Sequence, residues 1–182
     1  RFVEPDYVIP FSVTPNDKAF VDGELWGLHN IDAVRAWNLS VGSSDVVVAV
    51  IDTGVRYTHQ DLKNQMWVNT DEVANNGKDD DNDGFVDNIF GMDAVNDDGD
   101  PMDDNGHGTH CAGTVAGDGT AGSQTGMAPE ARIMALKVLD SGGSGAESNC
   151  WEAVQFCVEN SVDIMSFSLG WLHAWGPDRS TW

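Results

Sequence analysis

Positive charge is scarce in this sequence: nine Lys and Arg stand against 30 Asp and Glu in 182 residues, a formal net charge of -21. So acidic a surface repels phosphate backbones and anionic lipid, so neither nucleic acid nor a membrane is expected as a partner. It suits divalent cations or a salty medium. Long hydrophobic runs are also missing. No apolar stretch approaches the roughly 20 residues that cross a bilayer, so no transmembrane helix is expected. Cysteine is nearly absent: Cys111, Cys150 and Cys157 are too few and too oddly counted for a disulfide framework. Cys150 and Cys157 lie two helical turns apart, about 10 Å, too far for a mutual bridge. All three are expected to act as buried small hydrophobes. No internal repeat is visible. With no initiator Met or signal peptide at Arg1, the chain reads as a processed or excised piece. Its hydrophobic content of 41% suffices for one domain with a core.

What is present alternates strand and helix. Asp45 to Ile51 is a β-branched apolar run, the pattern of a strand covered on both faces. Ala131 to Leu139 and Val162 to Leu169 read as two more strands. Ile31 to Leu39 suits a short helix with Ile31, Val34 and the Trp37/Leu39 edge inward. Gly108 to Ala116 is a helix of small residues, able to lie close to a sheet. Ala146 to Asn160 is an amphipathic helix with Cys150, Val154, Cys157 and Val158 inward. Ser141 to Gly145 reads as a flexible or extended edge. Residues 1–30 show little periodicity, although Arg1 to Ile9 fits one extended strand. Strand, helix, strand, helix, strand implies an α/β parallel sheet joined by right-handed crossovers.

Two motifs carry chemistry. Val46 to Ile51 delivers Asp52 to the C-terminal end of a buried strand, where active-site groups of open parallel sheets gather. Asn105-Gly-His107-Gly-Thr-His110 sets an imidazole between glycines at the head of the small-residue helix. A buried carboxylate and an accessible imidazole are two of the three parts of a serine-nucleophile hydrolase. Ile51-Asp52-Thr53-Gly54 alone also suits an aspartic protease, but that class needs an antiparallel barrel and a second Asp-Thr-Gly lobe. A zinc site using His107 and His110 lacks the i, i+4 spacing with an intervening Glu. The acid is concentrated in residues 71–104, where Lys78 is the one basic residue and Trp67, Phe85, Val86, Ile89, Phe90 and Met92 provide apolar anchors nearby or within. There Asp79, Asp81 and Asp83, then Gly84, the Phe85 carbonyl and Asp87 follow the opening of an EF-hand loop. Phe90 stands where that loop needs its bidentate Glu. A Ca2+ loop on another scaffold is therefore expected, since carboxylates so crowded repel without a cation.

Asp52-Thr-Gly with its lead-in, and His107-Gly-Thr-His-Cys-Ala-Gly-Thr, resemble the aspartate and histidine boxes of the subtilisin-like serine proteases, the subtilases. Trp26 to Trp37 resembles the lead-in of their mature domain, and Ala128 to Leu139 the strand after the histidine helix. The resemblance implies a subtilisin-like parallel sheet with helices on both faces, incomplete at its C-terminus, over 31–182, with 1–30 as an N-terminal arm. It implies that Asp52 orients and His107 is the general base, with His110 a structural hydrogen-bonder. It implies that Gly143-Ser144-Gly145 and Ser168-Leu169-Gly170 clasp an extended polypeptide substrate, and that their backbone groups are unpaired. Asp61 matches a further calcium-binding aspartate of the family. Phe2 to Tyr7 resembles the end of an inhibitory propeptide. The family's Gly-Thr-Ser nucleophile box does not occur, and Ser166, Ser168 and Ser180 are poor substitutes. The implied protein is a secreted, Ca2+-stabilised endopeptidase, inert in this piece unless a C-terminal fragment complements it. The competing reading is a non-catalytic calcium-binding module or degenerate subtilase.

Overall fold

In a computed structural model, residues 15, 17–120 and 125–170 are described. Arg1 to Ile9, expected as an extended strand, the propeptide-like Phe2 to Tyr7 and Ser180 lie outside them. The elements run α1 (Lys18–Val21), α2 (Trp26–Asn30), α3 (Ala33–Trp37), β1 (Val47–Asp52), β2 (Gly91–Asp93), α4 (His107–Ala116), β3 (Arg132–Lys137), α5 (Glu147–Glu159) and β4 (Ile164–Phe167).

The strands form one parallel sheet in the order β2-β3-β1-β4. The apolar run of β1 splits by strand period between two cores. Ala49 and Ile51 join Met134, Leu136 and Val138 of the β3 segment under α5, which contributes Cys150, Ala153, Phe156 and Cys157. Val48 and Val50 join Ile133 and Ala135 under α4, which contributes Ala112 and Ala116. Helices thus cover both faces, and β1 and β3 are apolar on both because neither face meets water. A third cluster outside the sheet joins Phe20, Ala33 and Trp37. The Trp37 Nε1–H donates to the Met127 carbonyl at 2.7 Å, tying α3 to the segment before β3.

Several expectations are corrected. In the α3 region Ala33 and Trp37 are buried, whereas Ile31 and Leu39 are 61% and 90% exposed. The helix is shorter than Ile31 to Leu39, so those end residues leave its inner face. In α5 Cys150 and Cys157 are buried, but the stripe runs through Ala153 and Phe156; Val158 is 68% exposed. Cys111 is only half-buried, unlike the other two cysteines. The short β2 and the helices α1 and α2 were not foreseen. The strand β2 pairs Gly91 to Asp93 with Ala135 to Lys137. Its single large apolar residue, Met92, gives no alternating pattern to read. Of the acidic segment's anchors, Phe85 and Met92 are buried while Val86 is exposed.

Candidate active site

The C-terminal ends of β1 and β3 and the N-terminal end of α4 meet at one place. Asp52 closes β1 and is fully buried. Its Oδ1 accepts the Thr53 N–H at 2.7 Å and lies 2.7 Å from Nδ1 of His107, the first residue of α4. An ionised carboxylate only accepts, so Nδ1 donates and Nε2 is left as the free basic nitrogen. The imidazole is half exposed and lines a groove of about 660 Å³. Gly108 makes this approach possible. A Cβ there would overlap the Gly54 carbonyl oxygen and crowd Asp52, forcing α4 off β1.

A hydrogen-bonded frame fixes the turn between the two residues. Thr53 Oγ1 accepts the Gly108 N–H at 2.9 Å and donates to Asp103 Oδ1 at 2.9 Å. Asp103 also accepts from the N–H groups of Asn105, Gly106 and Thr109 and from the Thr109 hydroxyl. Burial works against its charge, but the bonds from Gly106, Thr109 and Asn105 outweigh it and hold the carboxyl below its ordinary range. Behind the turn, the buried Lys137 ammonium donates to the carbonyls of Thr53 (2.9 Å) and Leu139 (2.8 Å) and to Asp104 Oδ1 (2.7 Å). Asn105 Nδ2 donates to the Ser141 carbonyl at 2.9 Å, linking the histidine loop to the far bank of the groove.

Cys111, one turn into α4, places its Sγ 3.9 Å from His107 Nδ1, with an Asp52 oxygen in the same cluster. Burial pushes its thiol up. A hydrogen bond with Ser168 opposes this, and the Asp52 carboxylate adds to the rise. His110 is exposed and lines a separate pocket with His59, Asp61, Leu62 and Gly113.

The groove is walled by Leu139, Gly143 to Glu147 and Cys150 on one bank and by Ser168, Leu169 and Gly170 on the other. The first bank is not a flexible edge. Asp140 Oδ1 accepts the N–H groups of Gly142 (2.8 Å) and Ser144 (3.0 Å), and its own N–H donates to the Ser144 carbonyl at 2.8 Å. The Gly143 N–H is also taken, by the Asp140 carbonyl. The N–H groups expected to be open at Gly143 and Ser144 are thus closed internally. Gly145, where a Cβ would overlap the Val138 carbonyl, makes no such bond among the described residues. On the second bank the β1–β4 pairing ends at Phe167, one residue before Ser168.

In the acidic loop, carboxylate oxygens of Asp79, Asp81 and Glu72 lie within 4.8 Å of one another. Glu72 is buried and accepts the N–H groups of Asp80, Asp81 and Asp87. Asp83 sits beside them. Burial raises its carboxyl, bonds from Phe85 N–H and Asn88 lower it, and repulsion from Asp81 and Asp79 adds to the rise. Asp87 turns away and accepts the Asn76 and Gly77 N–H groups at 3.0 Å each. Phe85 is buried and donates its N–H to Asp83. Asp61, although buried, is not part of this group.

Residues 43–181 match the profile of the subtilase family. The chain belongs to the subtilases. It is 38% identical over 171 residues to a thermophilic serine proteinase of Bacillus sp. (strain AK1), covering 93% of this chain and 37% of that protein. It is 40% identical over 141 residues to the minor extracellular protease Vpr of Bacillus subtilis (strain 168), covering 77% and 16%. A crystal structure of a lanthipeptide protease superposes with a TM-score of 0.59 at 26% identity, covering 84% of this chain and 37% of that one. The parallel sheet with helices on both faces is accordingly a subtilase sheet. The chain spans well under half the length of these relatives.

Lys137, Asp103, Asn105 and Glu72 were not foreseen as parts of this subtilase site. A lone lysine inside Ala131 to Leu139 was the visible signal for the first. Asp103 lies in the last stretch of the acidic run, whose aspartates were expected only to surround the approach to His107, and Asn105 opens the histidine motif without a role of its own.

Proposed function

We propose that the chain supplies the orienting aspartate and the histidine base of a serine endopeptidase whose nucleophile comes from sequence beyond these 182 residues. The observation that carries this reading is the 2.7 Å contact between Asp52 Oδ1 and His107 Nδ1, with the imidazole at the wall of an open groove. A serine hydroxyl presented to Nε2 would give up its proton there as its oxygen attacks the scissile carbonyl. Asp52 would hold the ring in the productive tautomer and stabilise the imidazolium, and the proton would then pass to the leaving amine. An extended polypeptide would lie between Gly143 to Gly145 and Ser168 to Gly170, as an added strand. The extracellular relative supports a secreted role. An inhibitory propeptide would occupy the same groove, and a complementing C-terminal fragment would add to the β4 edge.

The loop of Glu72, Asp79, Asp81 and Asp83 has the hard oxygen donors that Ca2+ takes. Their close carboxylates, one with a raised pKa, fit a cation that the loop would hold. Bound there, Ca2+ would neutralise the repulsion and tie Asn69 and Asn88 to the loop through Asp81 and Asp83. Asp87, whose carboxylate accepts from Asn76 and Gly77, and Asp61 would stand outside this ligand set.

The test is made in the longer protein that carries the nucleophile. Asp52→Asn should lower kcat on the order of 10^4-fold and His107→Ala on the order of 10^6-fold, while KM changes little in either. Turnover within tenfold of the parent in either variant sinks the assignment.

A further inference from the structure

The groove crosses the C-terminal edge of the sheet, and its two ends belong to opposite faces. His107 leads α4, which packs on the face of Val48 and Val50. Glu147 leads α5, which packs on the face of Ala49 and Ile51. Apart from His107, Glu147 is the one ionisable acid or base among the described lining residues with its carboxylate available; Cys150, the other, is a buried thiol. Around it stand Leu139, Cys150 and Leu169, all packed on the α5-side core. Glu147 is half-buried, and its side chain makes no hydrogen bond or ion pair among the described residues. Its carboxylate is felt at the pocket wall: burial raises the Cys150 thiol and Glu147 raises it further. Lys137, behind Leu139, offers no compensation because its ammonium is held by Thr53, Leu139 and Asp104. A first-turn acid favours α5 through the helix dipole, which explains its place in the helix but leaves its charge free to meet a ligand.

We propose that the α5 end of the groove selects a lysine or arginine side chain of the bound polypeptide, its methylenes against Leu139, Cys150 and Leu169 and its cationic head at Glu147. Long basic side chains pair an apolar stem with a charged tip, which is the pattern this pocket presents. The proposal rests on the groove being a polypeptide site, and adds which side chain it prefers and where.

The test is an NMR titration of the longer 15N-labelled protein, its nucleophile serine replaced by alanine to stop turnover, with blocked hexaalanine peptides. A single Lys, norleucine or Glu is walked through the positions of the peptide, and shifts are followed at the amides of Gly145 to Glu147 and Leu169 to Gly170. One position is expected at which Lys binds about two- to fivefold more tightly than norleucine. That gain should fade as salt rises. Glu147→Gln should erase the difference between the Lys and norleucine peptides, and Glu147→Lys should turn the preference to the Glu peptide. A Lys gain that persists in Glu147→Gln belongs to the overall negative charge and overturns the proposal. Peptides that bind with no preferred Lys position overturn it too, and leave the groove reading intact. If no peptide moves these amides, the polypeptide groove itself falls, and this inference with it.

Discussion

Lys137 is 1% exposed, yet nothing in the proposed chemistry needs its charge at the reacting atoms. Its value is as a donor. Three acceptors from three different segments converge on one ammonium: the turn after Asp52, the start of the groove bank and the loop before His107. Lys137→Met keeps the stem and removes all three bonds. Asp104 is half exposed and regains water, so its loss contributes little. The Thr53 and Leu139 carbonyls lose a charged donor in a buried setting, a cost of about 2–3 kcal/mol. Urea unfolding should show a lower midpoint at unchanged slope, and a midpoint equal to the parent's would reject the brace. The same residue shows why part of the site was hidden in the sequence. Asp52 and His107 were legible because each sits in a distinctive local string. Lys137 and Asn105 act on backbone carbonyls, Thr53 and Ser141 among them, that are distant in sequence and have no side-chain signature. Glu72 was invisible as a partner of Asp79 and Asp81 because the intervening chain had to fold back first.

At the scale of the element, α4 poses the sharpest problem. Its N-cap is Gly106 in the left-handed region at φ 105°, with no capping side chain of its own. Asp103 supplies the missing acceptor from three residues upstream, meeting the Gly106 and Thr109 N–H groups at the positive end of the helix. Asp103→Asn should destabilise the chain by about 1 kcal/mol at neutral pH, the usual cost of losing a cap. The folded carboxyl is held low, so its contribution is complete above the unfolded value of about 3.9 and is lost as pH falls through the folded value. Parent and variant should therefore converge in unfolding free energy at strongly acid pH. A gap that stays constant with pH would assign the effect to shape alone. The three longer strands were legible to within a few residues because β1 and β3 are buried on both faces and read as continuous apolar runs. The strand β4 read the same way, yet Ile164 is 51% and Phe167 39% exposed, since β4 is the open edge of the described sheet. The phase of α5 was read correctly at Cys150 and Cys157 but not at Val158, because Ala153 and Phe156 complete the inner stripe. Length and composition located that helix, while only packing fixed its rotation.

For the whole molecule the dominant quantity is charge, and it separates two kinds of cation effect. At a net charge of -21 any salt relieves self-repulsion and raises stability to some degree. A built site does more, at low concentration and for one ion. Calcium at about 100 times its Kd would add about 2.7 kcal/mol by linkage. For a chain of this size that is a rise in Tm of about 5–10 °C. Its pH dependence has a definite sign. Asp83 is raised, so without a cation the folded loop holds its proton more tightly than the unfolded chain, and the stability this gives is lost as pH rises through the folded value. Calcium needs the carboxylate bare, so its binding expels that proton and its stabilising effect should grow from acid to neutral pH. Calorimetry with Ca2+, and with Na+ at matched ionic strength, would separate the two, and Asp81→Asn should abolish the calcium increment while leaving the salt increment. An equal rise from both ions, or a calcium increment that survives Asp81→Asn, would reduce the loop to one more patch of a repelling surface.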